Sequence, residues 1–325
     1  SSMAKFFVQG RDALKTLQYV CCNDIDVPMG KVVYTQMLNE RGGIEADITV
    51  TRLAEDKFFI VSPGACGVRD FDYINRHINR DDFTTLTEVT SGYTMLAVMG
   101  PNSRKLLQTL TDADLSNAAF PFATARVIDI AYARPLAVRM SFVGELGWEL
   151  YIPAEFSINV FDALMEAGKA FDLKLVGLHA LDSLRLEKGY KHWSADITPD
   201  NTPFETGLGF CVRMQKKAFL GKEALTKQKE SGLKRKLVMF SIKDPEPLAY
   251  HDEPIYRDNV LVSENTHGAY SHVLGCSIGM CHLKNPKGIS DDWIKAGSYK
   301  INVAGNMYPI EIHLEPVYDP KSERV

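Results

Sequence analysis

No apolar run in these 325 residues approaches the roughly 20 consecutive residues that cross a bilayer, so the sequence offers no membrane helix. Basic charge is in short supply: 37 Lys and Arg against 41 Asp and Glu give a formal net charge of −4, which speaks against a nucleic-acid partner. The six cysteines (Cys21, Cys22, Cys66, Cys211, Cys276, Cys281) form no CxxC pair. Cys281 adjoins His282, but adjacent side chains diverge too far to chelate a metal together. Scattered thiols of this kind are expected as buried residues in a reducing compartment rather than as a disulfide frame. GxGxxG, the Walker loop, HExxH and GxSxG are absent, and the eight histidines show no HxH or HxxxH spacing. These absences weigh against dinucleotide, nucleotide-phosphate and metal chemistry on this chain.

What is present is ordinary for a globular chain, 45% hydrophobic and 24% charged, and long enough for two or more domains. The opening "SSMAKFFVQGRDALKTL" enters a strand pattern without lead-in, as expected of a piece of a longer polypeptide, so its lack of a targeting segment says nothing about compartment. Alternation predicts a strand over 4–8, and apolar residues at 13, 14, 17 and 20 predict a helix over 10–20. The stretch "GKVVYTQMLNERGGIEADITVTRLAEDKFFIVS" reads as a three-stranded meander. A turn centred on Arg41 and Gly42 sets Gln36 opposite Asp47 and Tyr34 opposite Thr49, all four on one face.

Further on, helices are expected over 69–78, from Gly100–Pro101 through 110, and over 156–170, 178–187 and 218–232. Strands are expected over 95–99, 138–142 and 148–152, the last two joined by a glycine-bearing turn. Beyond the "KRK" at 234–236, short strands at 237–242, 255–257, 260–262, 277–280, 299–303 and 307–313 suggest a separate all-β unit. The boundary is placed near 233, dividing the chain into 1–233 and 234–325.

Two segments hold acids where strands seldom have them. In "RGGIEADITV", Asp47 interrupts a β-branched strand beside a double-glycine turn. It reads either as a solvent-facing edge residue or as a carboxylate held near a reacting amine, to accept a proton or stabilise a transient cation. In "SFVGELGWELYIP", Glu149 lies between Trp148 and Leu150 and points away from both. It reads either as an exposed strand glutamate or as the acceptor for a planar ligand edge with two adjacent N–H donors, such as the 2-amino and N3–H of a pterin. Glu145 reads as a turn residue. In "LDSLRLEKGYKHWSADITPDNTPFETGLG", Arg185 and Glu187 are expected as helix-surface charges, Tyr190, His192 and Trp193 as packing residues, and Asp196 and Asp200 as turn formers.

These segments, in this order, resemble the folate-binding family of the glycine-cleavage T-protein (aminomethyltransferase) and the C-terminal halves of sarcosine and dimethylglycine dehydrogenases. The meander resembles the family's catalytic-aspartate hairpin, and "SFVGELGWELYIP" its pterin-binding turn. "LDSLRLEKGYKHWSADITPDNTPFETGLGF", "FLGKEAL", "PVYDPKSERV" and "DADLSNAAFPF" are closer to the dehydrogenases, the last to sarcosine dehydrogenase. The resemblance implies an α+β, three-lobed aminomethyltransferase-like fold with a C-terminal all-β barrel or jelly-roll-like domain. It implies tetrahydrofolate as the cofactor, Asp47 as the catalytic carboxylate and Glu149 as the pterin anchor, with Tyr34, Met37, Phe142, Arg185 and Trp193 as further folate contacts. The implied activity is capture of the iminium or formaldehyde from oxidative N-demethylation of sarcosine or dimethylglycine as 5,10-methylenetetrahydrofolate. FAD is then expected only on a flavin domain preceding residue 1. The location is expected to be cytoplasmic in a bacterium and the mitochondrial matrix in a eukaryote.

The sequence departs from T-proteins at Phe142, where they carry tyrosine, at Pro63, where they carry asparagine, and at Leu181, where they carry arginine. All three point away from a free-standing aminomethyltransferase acting on a lipoyl carrier. A non-catalytic regulatory homologue is the other rival, and retention of both Asp47 and Glu149 argues against it.

Overall fold

The computed structural model describes residues 3–325, which fold into three sheets. The first contains β1 (Met3–Gln9), β2 (Val32–Leu38), β3 (Ile44–Ala54), β4 (Lys57–Pro63) and β5 (Thr85–Glu88), in the order β2-β3-β4-β1-β5. Period-two patterning decides its faces. Ile44, Ala46, Ile48 and Val50 are buried on one side of β3, while Glu45, Asp47 and Thr49 are half-buried on the other. The buried side packs on α1 (Ala13–Val20) and α2 (Gly67–Arg76) through Leu17, Val20, Tyr73 and Ile74.

The expected register holds: Gln36 pairs with Asp47 and Tyr34 with Thr49. The turn that sets it is built by Asn39, whose Oδ1 accepts from Arg41 N at 3.0 Å and Gly43 N at 2.9 Å. Gly42 sits at φ +80, and a Cβ on Gly43 would come within 1.8 Å of Pro199 O, so the second glycine is required by the loop pressed against it.

The second sheet holds β6 (Tyr93–Met99), β7 (Ala125–Val127), β8 (Leu136–Val138) and β9 (Gly147–Pro153), in the order β6-β9-β8-β7. Its outer face, through Val98, Trp148, Leu150 and Ile152, packs on α3 (Ser103–Gln108) and α4 (Ser157–Gly168). Its inner face meets the first sheet at Val32, Phe59, Val61, Val138 and Tyr151, with Phe59 and Tyr151 edge to face at 5.1 Å. The strand expected over 138–142 stops at Val138. Arg139, almost fully buried, turns its guanidinium to Phe120 O at 2.7 Å, and Ser141 Oγ then accepts from Val143 N at 3.2 Å, bending the chain out of the sheet. A loop rather than a tight hairpin therefore connects β8 to β9.

The third sheet is a closed barrel, β10-β13-β12-β11-β14-β15, made of β10 (Arg235–Ile242), β11 (Pro254–Arg257), β12 (Val260–Ser271), β13 (Cys276–Lys284), β14 (Tyr299–Val303) and β15 (Asn306–His313). Closure leaves no open edge. Strand β12 runs far past the expected 260–262. Its buried Ser263 and Asn265 break the apolar pattern: Ser263 Oγ donates to His282 O at 2.8 Å and Asn265 Nδ2 to Glu253 Oε2 at 2.8 Å, while Asn265 Oδ1 has no partner among the described residues.

Helices α5 (Leu178–Glu187) and α6 (Lys222–Ser231), with the irregular 188–221 between them, join the first sheet to the barrel over Leu38, Ile44, Leu186, Ile197, Leu225, Met239 and Met280. The short α7 (Asp291–Lys295) lies against the barrel through Ile294. Two expectations fail in this region. Arg185 and Glu187 are buried, not helix-surface charges, and Asp196 is fully buried rather than a plain turn former. Arg185 Nη1 pairs with Asp196 Oδ2, and Glu187 Oε1 accepts from Ser271 Oγ at 2.7 Å, so both helix residues serve the junction with the barrel. All six cysteines are free, and five are buried. No helix among the described residues is long and apolar enough to cross a membrane.

Candidate functional site

Asp47 and Glu149 stand on the two faces that the first and second sheets turn toward each other. Asp47 shares its face with Thr49 and Thr51, and the latter pairs with Phe59. Glu149 shares its face with Tyr151, the residue that packs on Phe59. The faces that carry the two acids thus also carry the apolar contact between the sheets.

The Asp47 carboxylate is held on both oxygens. Tyr34 Oη donates to Oδ2 at 2.9 Å and Gln36 Nε2 to Oδ1 at 2.8 Å. Its surface is half-covered, yet the protein packed around the group desolvates it, and this burial pushes its pKa up to about 6. Gln36, Tyr34 and the positive charge of Lys191 oppose that shift, while Asp70 adds to it. Such a carboxyl changes protonation within reach of neutral pH, as proton transfer requires. Burial and the charge on Asp47 hold the Tyr34 phenol well above its usual range, so it remains a donor.

Glu149 is satisfied on one side only. Tyr151 Oη donates to Oε2 at 2.6 Å, and among the described residues neither a second donor nor a cation reaches the carboxylate. Burial raises its pKa, and Tyr151 opposes the shift. Its cross-strand neighbour on β6 is Ala97, small and exposed, and the next same-face position on β9 is Gly147. Met99 fills the place a Cβ would take at Gly147, while Ala97 is small and exposed and Glu149 itself stays half-buried, so the carboxylate keeps access from the Ala97 side. A half-buried acidic acceptor with one oxygen lacking a donor among the described residues suits a ligand edge carrying adjacent N–H groups.

The other expected contacts divide. Tyr34 is in the site through Asp47. Phe142 lies in the loop before β9 and stacks on Tyr190, with ring centroids 6.1 Å apart. Trp193 donates from Nε1 to Ile44 O at 3.1 Å, under the Arg69 guanidinium at 3.7 Å, which ties its loop to the start of β3. Met37 is fully buried on the opposite face of β2 from Gln36, in the core under α1 and α2, and reaches no open space. Period two puts adjacent residues on opposite faces, so Gln36 and Met37 cannot both face Asp47. Arg185 is fully buried and committed to Asp196, to Asp182 Oδ1 at 3.3 Å and to Tyr190 O at 3.0 Å, as a strut for the loop rather than an exposed contact. Glu145 accepts from Tyr318 Oη, which straps the C-terminal tail across the turn before β9.

Reading the sequence alone misses Tyr151 and Lys191. The first was recoverable, because two positions along a strand share a face. Nothing local marks the second.

The GCVT N-terminal domain matches residues 1–216, and the glycine cleavage T-protein C-terminal barrel domain matches residues 235–319. The chain belongs to the glycine cleavage T-protein family. It has the family's folate-binding, aminomethyltransferase-type fold and is related to sarcosine dehydrogenase. The T-protein of the Bartonella henselae glycine cleavage system superposes with a TM-score of 0.85 at 23% identity, over 98% of this chain and 85% of that one. Among curated T-protein relatives, the formaldehyde-forming 4-methylaminobutanoate oxidase of Paenarthrobacter nicotinovorans is 40% identical over all of this chain and 39% of its own length. The mitochondrial sarcosine dehydrogenase of Mus musculus is 36% identical over all of this chain and 37% of its own. The chain therefore spans less than two fifths of either relative.

Proposed function

We propose that this chain is the folate half of an N-methyl amino acid dehydrogenase or oxidase, transferring the one-carbon unit released by demethylation to tetrahydrofolate. The observation that carries this reading is the pair of unlike carboxylates on facing sheets, one held on both oxygens and one with an oxygen left for a ligand. The residues fit the group: Glu149 Oε1 lacks a donor among the described residues, and a pterin's 2-amino and N3–H edge would supply two. Bound tetrahydrofolate supplies the two amine nitrogens that take up the carbon.

Glu149, oriented by Tyr151, fixes the ring edge in the recess. Asp47, poised near pH 6 and braced by Tyr34 and Gln36, would take up the proton that a folate nitrogen gives up on bonding the carbon, and would offset the positive charge of the incoming iminium, whose amine would leave as the free amino acid. Phe142, stacked on Tyr190, presents an aromatic edge without a hydroxyl, and Trp193 steadies the loop over β3. The two oxidase and dehydrogenase relatives act on N-methyl amino acids by their own names, and they are more than twice this chain's length. The flavin chemistry is assigned to a part of the parent protein outside these 325 residues.

Calorimetric titration with tetrahydrofolate tests the reading. The wild-type chain is expected to bind it, and Glu149→Ala to lose about 1–3 kcal/mol, the scale for stranding buried donors. Absence of binding by the wild type would favour a scaffold role.

A further inference from the structure

Resting on that reading of the Asp47 recess, we propose that Lys191 is the carboxylate-binding group for the arriving amine. The recess then takes an N-methylene amino acid as a zwitterion, with its cationic C=N at Asp47 and its carboxylate at Lys191.

Lys191 belongs to a loop fastened on both sides. Before it, Tyr190 stacks on Phe142 and its carbonyl accepts from Arg185 Nη1 at 3.0 Å. After it, His192 N donates to Asp196 Oδ2 at 2.9 Å and Trp193 Nε1 to Ile44 O at 3.1 Å. The loop thus runs from the turn that precedes Glu149 to the strand that carries Asp47. Lys191 itself is half-buried, and desolvation lowers its pKa against the negative charges of Asp196 and Asp47.

Yet among the described residues its ammonium has neither a hydrogen bond nor an ion pair within 4.0 Å. The two acids near it are already engaged. Asp196 takes Arg185 and His192 N on one oxygen and Thr266 Oγ1 on the other, while Asp47 takes Tyr34 and Gln36. A half-buried cation whose neighbouring anions are satisfied elsewhere, and whose ammonium keeps access to solvent, can take an external anion, because partial desolvation without a partner is costly. The opposite charges of Lys191 and Asp47 act on each other without closing into a pair. That separation is what a small zwitterion needs. A methylated amine lacking the carboxylate would satisfy Asp47 alone, and free formaldehyde would use neither charge.

The folate's own glutamate carries carboxylates too, so the experiment separates the two sources. N,N-dimethylglycine, a stable stand-in for the iminium acid, and trimethylamine, its decarboxylated counterpart, are titrated into the full chain with and without tetrahydrofolate. Wild type is expected to prefer dimethylglycine by about tenfold or more, the scale of one charge-assisted contact. Lys191→Met is expected to bring that ratio to within about twofold, Lys191→Arg to keep most of it, and neither to change tetrahydrofolate affinity. No preference in the wild type, or a preference that survives Lys191→Met, overturns the proposal. So does a Lys191→Met loss that falls on tetrahydrofolate and not on a reduced pteroate lacking the glutamate, which would give the lysine to the folate tail. If tetrahydrofolate fails to bind at all, the folate reading falls alone, because the amine ratio is also read without it.

Discussion

Asp47 and Glu149 stand in mid-strand on facing sheets, and each takes a hydrogen bond from a tyrosine, at 2.9 Å from Tyr34 and 2.6 Å from Tyr151. Burial raises the pKa of both. They differ in what the protein adds. Asp47 has a second donor in Gln36 and a cation, Lys191, acting on it, so the ionised form is supported although recessed. Glu149 has neither, and half of its accepting capacity is left over. One functional group, a carboxylate, in one kind of secondary structure is thus given two environments, which on the proposed reading suit the first to exchange a proton and the second to be completed by a ligand. Burial alone does not distinguish them, whereas the inventory of donors does.

The sharpest way to break this contrast is to remove each charge in turn and separate rate from binding. Asp47→Asn is expected to lower methylenetetrahydrofolate formation by about 10²–10⁴-fold, the usual share of a positioned acid–base group, with tetrahydrofolate affinity within a few fold of wild type. Glu149→Ala is expected to do the converse, lowering affinity by about 10–100-fold while leaving the rate at saturation nearly intact. Equal damage to rate and binding by both would mean that the acids share one task.

Stability sharpens the contrast further. The Asp47 pKa of about 6, against an ordinary 3.8, means that the folded state holds this proton more tightly than the unfolded chain does. The contribution is therefore complete below about pH 4 and lost as pH rises through about 6. Asp47→Asn is expected to be more stable than wild type at pH 8 by about 1–3 kcal/mol, a gain that fades toward pH 4 in denaturant melts. Equal stability of the two at every pH would show that the recess does not penalise the charge.

Much of this was legible in the sequence because strands announce their faces. The Asn39–Gly43 turn fixed the β2–β3 register, and with it the Gln36 and Tyr34 cradle for Asp47. The six barrel strands each left an apolar trace, although β12 was cut short by the polar residues it buries. The same alternation rule that placed Gln36 beside Asp47 excluded Met37 from that face. What stayed hidden depends on contacts between distant segments. Arg185 looks like any charged helix residue until Asp196 and Tyr190 fold back on it, and the loop that replaced the 138–142 strand exists because Arg139 has a partner in Phe120 O. Lys191 carries no local mark at all, since its meaning lies in which neighbouring acids are already occupied.

The smallest expected effects come from the two tyrosines, and they are the finest probe of the difference between the sites. Tyr34→Phe removes one of two donors that favour the Asp47 carboxylate, so its pKa should rise further. The acid limb of the rate profile, expected near pH 6 in the wild type, should then move upward by about half to one pH unit, the equivalent of one net hydrogen bond of about 1 kcal/mol. The rate on the plateau above that limb should change little, because Gln36 still orients the carboxylate. Tyr151→Phe strips Glu149 of the one donor it has among the described residues, yet a bound ring edge would still meet the same oxygens. Its effect should appear as a loss of affinity of a few fold that deepens as pH falls and the carboxyl takes up a proton, with the acid limb of the rate where it was. A displaced rate limb in the Tyr151→Phe chain, or a pH-dependent affinity in the Tyr34→Phe chain, would transfer the proton-exchanging role from Asp47 to Glu149.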